Sequence, residues 1–289
     1  MFIQFIINGL VTGLIYALTS LAFALVYNTT RIFHIAFAAL YVIASYLFYT
    51  FSNQFGLPIY LSVFLAILFN TLFSILIEIF IYKPLEVKKT SNNLILISSI
   101  GTFIILINCV ALIYGNDTKV INNNISSSVQ LGEILITNNQ IYQAVFSLFA
   151  IIILFALLKY SKLGLQTRAI RDDSELSRIF GIDIFRVRYV LFGLSGALVA
   201  IASCLNSYDV GMDPYIGMPI LLNAMVALII GGIGRFEAPL IGGIILGVLQ
   251  AIAIYYFESR WENAITFGIL LLFLIFRPQG ILGEKSREV

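Results

Sequence analysis

Residues 2–27, FIQFIINGLVTGLIYALTSLAFALVY, pass without one charged side chain. A bilayer's hydrocarbon core is about 30 Å thick and a helix rises about 1.5 Å per residue, so some 20 apolar residues make a span. This stretch is long enough. It is also too long for a cleaved signal segment and lacks a basic region before it, so it is expected to stay as a membrane helix. Similar apolar runs bounded by charges, proline or polar clusters follow at 33–52, 58–82, 94–114, 141–158, 188–206, 219–233, 237–257 and 262–276. The fold predicted is an all-α polytopic membrane protein of about nine transmembrane helices, eight to ten in all. The run 219–233 is short and ends in glycine, which predicts a half-helix buried among neighbours.

Composition agrees with this: the chain is 60% hydrophobic and 11% charged, against roughly 25% charged in ordinary soluble domains. The net charge of +2 gives no reason to expect nucleic acid. Cys109 and Cys204 lie inside apolar runs, where a thiol acts as a small hydrophobe, so neither a metal site nor a disulfide framework is expected.

Lysine and arginine concentrate in cytoplasmic loops. One alternating assignment puts Arg31, Lys83, Lys88, Lys89, the seven basic residues from Lys159 to Arg188, Arg235, Arg277, Lys285 and Arg287 on one side, leaving only Lys119 and Arg260 opposite. It places the N-terminus outside and the C-terminus in the cytoplasm. The loop 115–140 then faces outside as a partly ordered cap, rich in Asn and Ser and carrying Asp117, Lys119 and Glu133. Trp261, Tyr255 and Tyr256 fall near the outer boundary, as in an interfacial aromatic belt.

The cytoplasmic loop 159–187, KYSKLGLQTRAIRDDSELSRIFGIDIFRV, is far longer than a simple connection requires. Leu165, Ala169, Leu176, Ile179 and Phe180 recur at helical spacing, with Arg168, Arg171, Asp172, Glu175 and Arg178 on the other face. An amphipathic helix or helix pair is predicted, with Asp173 capping the start of a short helix and Gly181 ending it. Such a helix can dock into a groove on a soluble partner; a solvated loop that only fixes topology is the alternative.

Gly9 and Gly13, like Gly243 and Gly247, have the GxxxG spacing that lets helix backbones approach closely. The segment 231–243, GGIGRFEAPLIGG, places Gly231, Gly232, Gly234 and Gly242 with a proline and two charges between apolar runs. It reads as a hinge, a re-entrant turn or an ordinary cytoplasmic hairpin. Glu78, about one turn inside the third helix, is expected to form a structural tie to Lys83 rather than a proton relay, and His34, the only histidine, an interfacial hydrogen bond rather than a pH sensor. Chains of buried ionisable groups, the mark of proton-coupled transport, are missing from the sequence. No lysine follows a glycine, so there is no phosphate-binding P-loop. No catalytic residue and no cofactor is expected, and any ATP is hydrolysed by another subunit.

Taken together the segments resemble the Liv-type permeases of branched-chain amino acid ABC importers. INGLVTGLIYALTSLAFALVYN looks like that family's first helix. IEIFIYKPLEVKKTSNNLILISSIGTFIIL is similar to its pattern at Glu78, Lys83, Pro84, Leu85, Ser99 and Gly101. The cytoplasmic loop resembles the family's coupling segment at Gly164, Arg168, Ala169, Asp173, Glu175, Gly181 and Ile182. Asn206 to Gly217, the later GGIG and IGG, and the terminal RPQGILG look like its closing pattern.

The sequence departs from the family pattern at His34 to Ala38, where Asn-Phe-Ala-His-Gly is common, at Arg235, Ala238 and Pro239, and at Gln250, where Glu is frequent. These changes bear on the solute. The resemblance implies an ABC importer permease fold in the bacterial inner membrane. It also implies a homologous second permease, two cytoplasmic ATPase subunits and an extracytoplasmic solute-binding protein, with membrane lipid around them. Arg168, Asp173 and Glu175 would be docking contacts and Gly181 a helix terminator. The solute would be a branched-chain amino acid or a similar small polar molecule, with urea or amides as the other importer reading. A self-sufficient channel or secondary transporter is the competing class.

Overall fold

The computed structural model describes residues 2–121, 128–131, 134–257, 259–277 and 279–283. Glu133, Lys285, Arg287 and Pro278, all used in the sequence reading, lie outside the described residues. Each apolar run coincides with a helix. In chain order these are α1 (Phe2–Thr30), α2 (Phe37–Tyr49), α3 (Ile59–Ile77), α5 (Asn92–Tyr114), α6 (Asn138–Tyr160), α9 (Ile184–Val210), α10 (Gly217–Gly231), α11 (Ala238–Tyr256) and α12 (Glu262–Phe276). The short α4 (Lys83–Val87) follows α3 through a π-helical turn, Glu78–Tyr82, and another π turn, Thr50–Gln54, prolongs α2. The long loop supplies α7 (Lys162–Asp172) and α8 (Ser174–Ile179).

Among the described residues, six helices are long and apolar enough to cross a membrane: α1, α3 with α4, α5, α6, α9 and α11. The helices α10 and α12 are shorter, each about 22 Å at 1.5 Å per residue. In α10 most side chains are buried, so its ends meet protein, the condition under which a short helix is tolerated at membrane depth.

Burial sorts the helices into layers. The stretch Ile15 to Val26 of α1 and nearly all of α2 are buried, together with much of α9 and α10. Around them α3, α5, α6 and α12 turn large apolar side chains outward, such as Phe64 and Leu72 of α3 or Phe149 and Ile152 of α6. Exposed hydrophobics in this number suit a molecule whose solvent there is lipid.

The helices α1 and α11 pack along one another, and their glycines explain how. A Cβ on Gly9 would lie 2.8 Å from the Gly247 carbonyl oxygen, and one on Gly13 3.1 Å from that of Gly243. The two GxxxG motifs predicted separately therefore face each other. Gly231 and Gly242 play the same part between α10 and α11, where a Cβ would overlap the carbonyls of Ala238 and Ala227.

The connections collect at two ends of the bundle. At one end, residues 128–131 and 134–137 form an antiparallel hairpin, β1–β2. The Gln4 side chain clamps its Leu135, donating to the carbonyl at 2.7 Å and accepting from the N–H at 2.9 Å. Lys119 exchanges backbone hydrogen bonds with Met212. The α6 helix leaves the hairpin through a capping box between Thr137 and Gln140. Tyr255 packs edge-on against Phe2 and Phe5, while Tyr256 and Trp261 stay exposed. At the other end lie the α3–α5 connection, the α7–α8 elbow, the α10–α11 turn and the end of α1, tied together as described next.

Candidate functional site: the α7–α8 elbow and its anchors

The predicted amphipathic pair exists as α7 and α8, and several of its larger apolar side chains point away from the bundle. Leu165 is 65% exposed, Leu176 50%, Ile179 80% and Phe180 77%. Packing toward the bundle is done instead by Gly164, Thr167, Ile170 and Ser177, all buried. Gly164 sits where a Cβ would overlap the Leu158 carbonyl, and its N–H donates to Ser161 Oγ at 3.2 Å, capping α7. Small residues let α7 lie close to the end of α6. Leu165, Leu176, Ile179 and Phe180 are left on the outer side, while Ile170 packs inward.

The local signals behave as the sequence predicts. Asp173 Oδ1 accepts from the Leu176 N–H at 2.9 Å and caps α8. Gly181, with φ +81°, terminates it, its N–H donating to the Arg178 carbonyl. Ala169 contributes a carbonyl that closes α7 through the Asp173 N–H. Glu175 lies exposed in the first turn of α8, where a carboxylate favours the helix dipole.

Arg168 is tied back to the bundle. Its Nη1 donates to the Leu158 carbonyl at 2.8 Å, so it fastens the elbow to α6. Arg171 reaches further, donating from Nη1 to the Gly234 carbonyl at 2.7 Å and lying 5.9 Å from the centre of the Phe236 ring. The Gly234 N–H in turn donates to Asn28 Oδ1 at 3.2 Å, at the end of α1. Gly232 and Gly234, with φ of +116° and +106°, turn the chain sharply between α10 and α11. Residues 281 and 282 pair through their N–H groups with the carbonyls of Ile230 and Gly231.

A second anchor was not legible in the sequence. Glu78 was expected to pair with Lys83, yet its partner is Arg188, 110 residues away, with Nη2 to Oε2 at 3.1 Å and Nε to Oε1 at 2.7 Å. Arg188 also meets Glu86. The planar arginine fork suits carboxylates and can be buried with them, whereas the Lys83 ammonium lies over the Phe185 and Tyr189 rings, 5.3 Å from each centre. Arg188, counted with the loop, in fact belongs to the second turn of α9 and is only 2% exposed. Beside this pair His34 Nδ1 and Tyr82 Oη lie 2.7 Å apart, and Tyr82 Oη and Ser99 Oγ 2.7 Å apart. The predicted histidine hydrogen bond is thus part of a buried chain, completed by the Ala36 N–H on Ser99. Gln250, at another departure from the family pattern, donates to Asn223 Oδ1 at 3.2 Å and also to Thr266, joining α10, α11 and α12.

The chain matches the family model described as branched-chain amino acid transport system / permease component over residues 5–274. It is 31% identical to the high-affinity branched-chain amino acid transport system permease protein BraD of Pseudomonas aeruginosa, over 99% of this chain and 97% of that one. It is 28% identical to the corresponding permease LivH of Escherichia coli K12, with the same coverage. Among solved structures, a chain of PsaBC from Streptococcus pneumoniae in complex with Fab shares the fold, with a TM-score of 0.54 over 96% of this chain and 93% of that one at 14% identity. An apolar helical bundle, facing GxxxG motifs and a protruding helical elbow thus accompany a match along nearly the whole length, and the chain belongs to the permease component family of branched-chain amino acid transport systems.

Proposed function

We propose that this protein is a membrane subunit of an ATP-driven importer that carries branched-chain amino acids or a similar small polar solute across the inner membrane. It pairs with a homologous permease, receives solute from an extracytoplasmic binding protein and is driven by two cytoplasmic ATPase subunits that dock on the α7–α8 elbow. The observation that carries this reading is the set of outward apolar side chains Leu165, Leu176, Ile179 and Phe180. They stand on an elbow whose base is tied to α6 by Arg168. Apolar groups aimed at water are costly unless a partner covers them. Their place in the most basic connection of the chain points to the cytoplasmic side.

In this reading the N-terminus is outside, the hairpin end of the bundle faces out and the C-terminus is in the cytoplasm. The helices α2, α10 and α12 complete about nine spans. Leu176, Ile179 and Phe180 are the docking contacts with Glu175 beside them, Arg168 and Asp173 shape the elbow, and the glycines of 231–234 form its hinge partner. ATP binding closes the ATPase pair, and the elbow's contacts differ between the closed and open pair. That difference is what can shift the permease between outward- and inward-open states.

The test is solute uptake into vesicles holding this chain with its candidate ATPase, partner permease and binding protein. The variant Ile179→Glu/Phe180→Glu should insert normally, lose the ATPase subunits on purification and lose ATP-dependent uptake. Uptake by the native chain without ATP or partners would replace this reading with that of a self-sufficient channel or carrier.

A further inference from the structure

Resting on the importer reading, we infer that Arg171 and the α10–α11 turn form a joint that passes movement of the elbow to α1 and α11, making Arg171 a positioning residue for transport. Arg168 ties the elbow only to the helix that precedes it. Arg171 instead reaches a turn 63 residues away. Its guanidinium is held from three directions, by the Gly234 carbonyl, by the Phe236 ring and by Asp172 at 2.8 Å. Planar delocalised charge allows all three at once, which a lysine cannot reproduce.

The turn is built to carry such a movement onward. Gly234 accepts from Arg171 through its carbonyl and donates through its N–H to Asn28. One residue therefore connects the end of α7 to the end of α1. Gly231, immediately before the turn, lies against the start of α11, and the α11 glycines in turn hold α1. A shift of the elbow cannot leave the turn in place without breaking the Arg171 bond.

Asn28 carries a further sign. It is fully buried and its Nδ2 has no hydrogen-bond partner among the described residues, and a buried donor left unpaired is disfavoured. A state in which the turn moves and satisfies that amide gives the joint two arrangements, as switching elements require.

The experiment uses the full complex in vesicles, with three readouts: retention of the ATPase subunits, ATP hydrolysis and solute uptake. Arg171→Ala and, independently, Asn28→Ala should keep the ATPase subunits and keep hydrolysis within about twofold, while uptake falls about tenfold in Arg171→Ala, the scale of one hydrogen bond to a charged group, and about threefold in Asn28→Ala, whose bond joins neutral groups. Arg171→Lys should recover part of the uptake. Unchanged uptake in both alanine variants overturns the inference, and so does loss of the ATPase subunits in step with uptake, because the contact then only shapes the docking surface. A native complex showing no ATP-dependent uptake overturns instead the importer reading on which the inference stands.

Discussion

Arg188 enters the bundle from the second turn of α9 and faces the Glu78 and Glu86 carboxylates. Removing one partner of a buried ion pair strands the other charge away from water, at a cost of roughly 3–5 kcal/mol. The variant Arg188→Met is therefore expected to melt well below the native chain in detergent. Replacing both partners, in Arg188→Met/Glu78→Leu, should recover much of that loss, since an apolar pair of similar size can substitute for a buried ion pair. Equal melting of the single and double variants would show that a stranded Glu78 charge is not the source of the loss. The sequence revealed Glu78 as an ionisable group at depth but not its partner. Lys83 is near in sequence, while Arg188 is near only after α3 and α9 pack together.

At the scale of elements, glycine position separates packing from accident. Gly247 meets the backbone of Gly9 and Gly13, whereas among the described residues a Cβ on Gly101 of α5 would meet nothing within 4 Å. Gly247→Val should lower stability by about 1–3 kcal/mol, the usual cost of overpacking, read as a fall in the thermal midpoint. Gly101→Ala should be neutral or raise stability by up to about 1 kcal/mol through helix propensity. In the elbow, Asp173→Ala removes the cap of α8 and should cost about 1 kcal/mol, with Asp173→Asn milder, visible as faster amide exchange across 174–179. The caps and glycines were legible because they are local chemistry: Asp173, Gly181 and the two GxxxG motifs needed only their neighbours in sequence. The direction of the apolar residues was not. Periodicity groups Leu165 with Leu176, Ile179 and Phe180, but whether that group packs inward or stands outward is decided by how α7 and α8 sit against the bundle, through Gly164, Thr167, Ile170 and Ser177.

For the whole molecule, the bundle has a hairpin end and an elbow end, and orientation is a question about both. Gln130→Cys on β1 should react with a membrane-impermeant maleimide in intact cells, and Phe180→Cys only after the inner membrane is opened. The reverse pattern would invert the proposed topology. Length, apolar runs and the distribution of Lys and Arg were enough to give a polytopic helical protein, because in lipid a span must satisfy its own backbone and a helix does so from sequence-local bonds. The family pattern likewise runs along the chain and could be read there. Tertiary structure alone decided that α1 lies on α11, that Arg188 answers Glu78, and that Arg171 meets the turn at Gly234. Those pairings join residues far apart in sequence, and they follow from which helix surfaces fit together, which no single stretch of the chain contains.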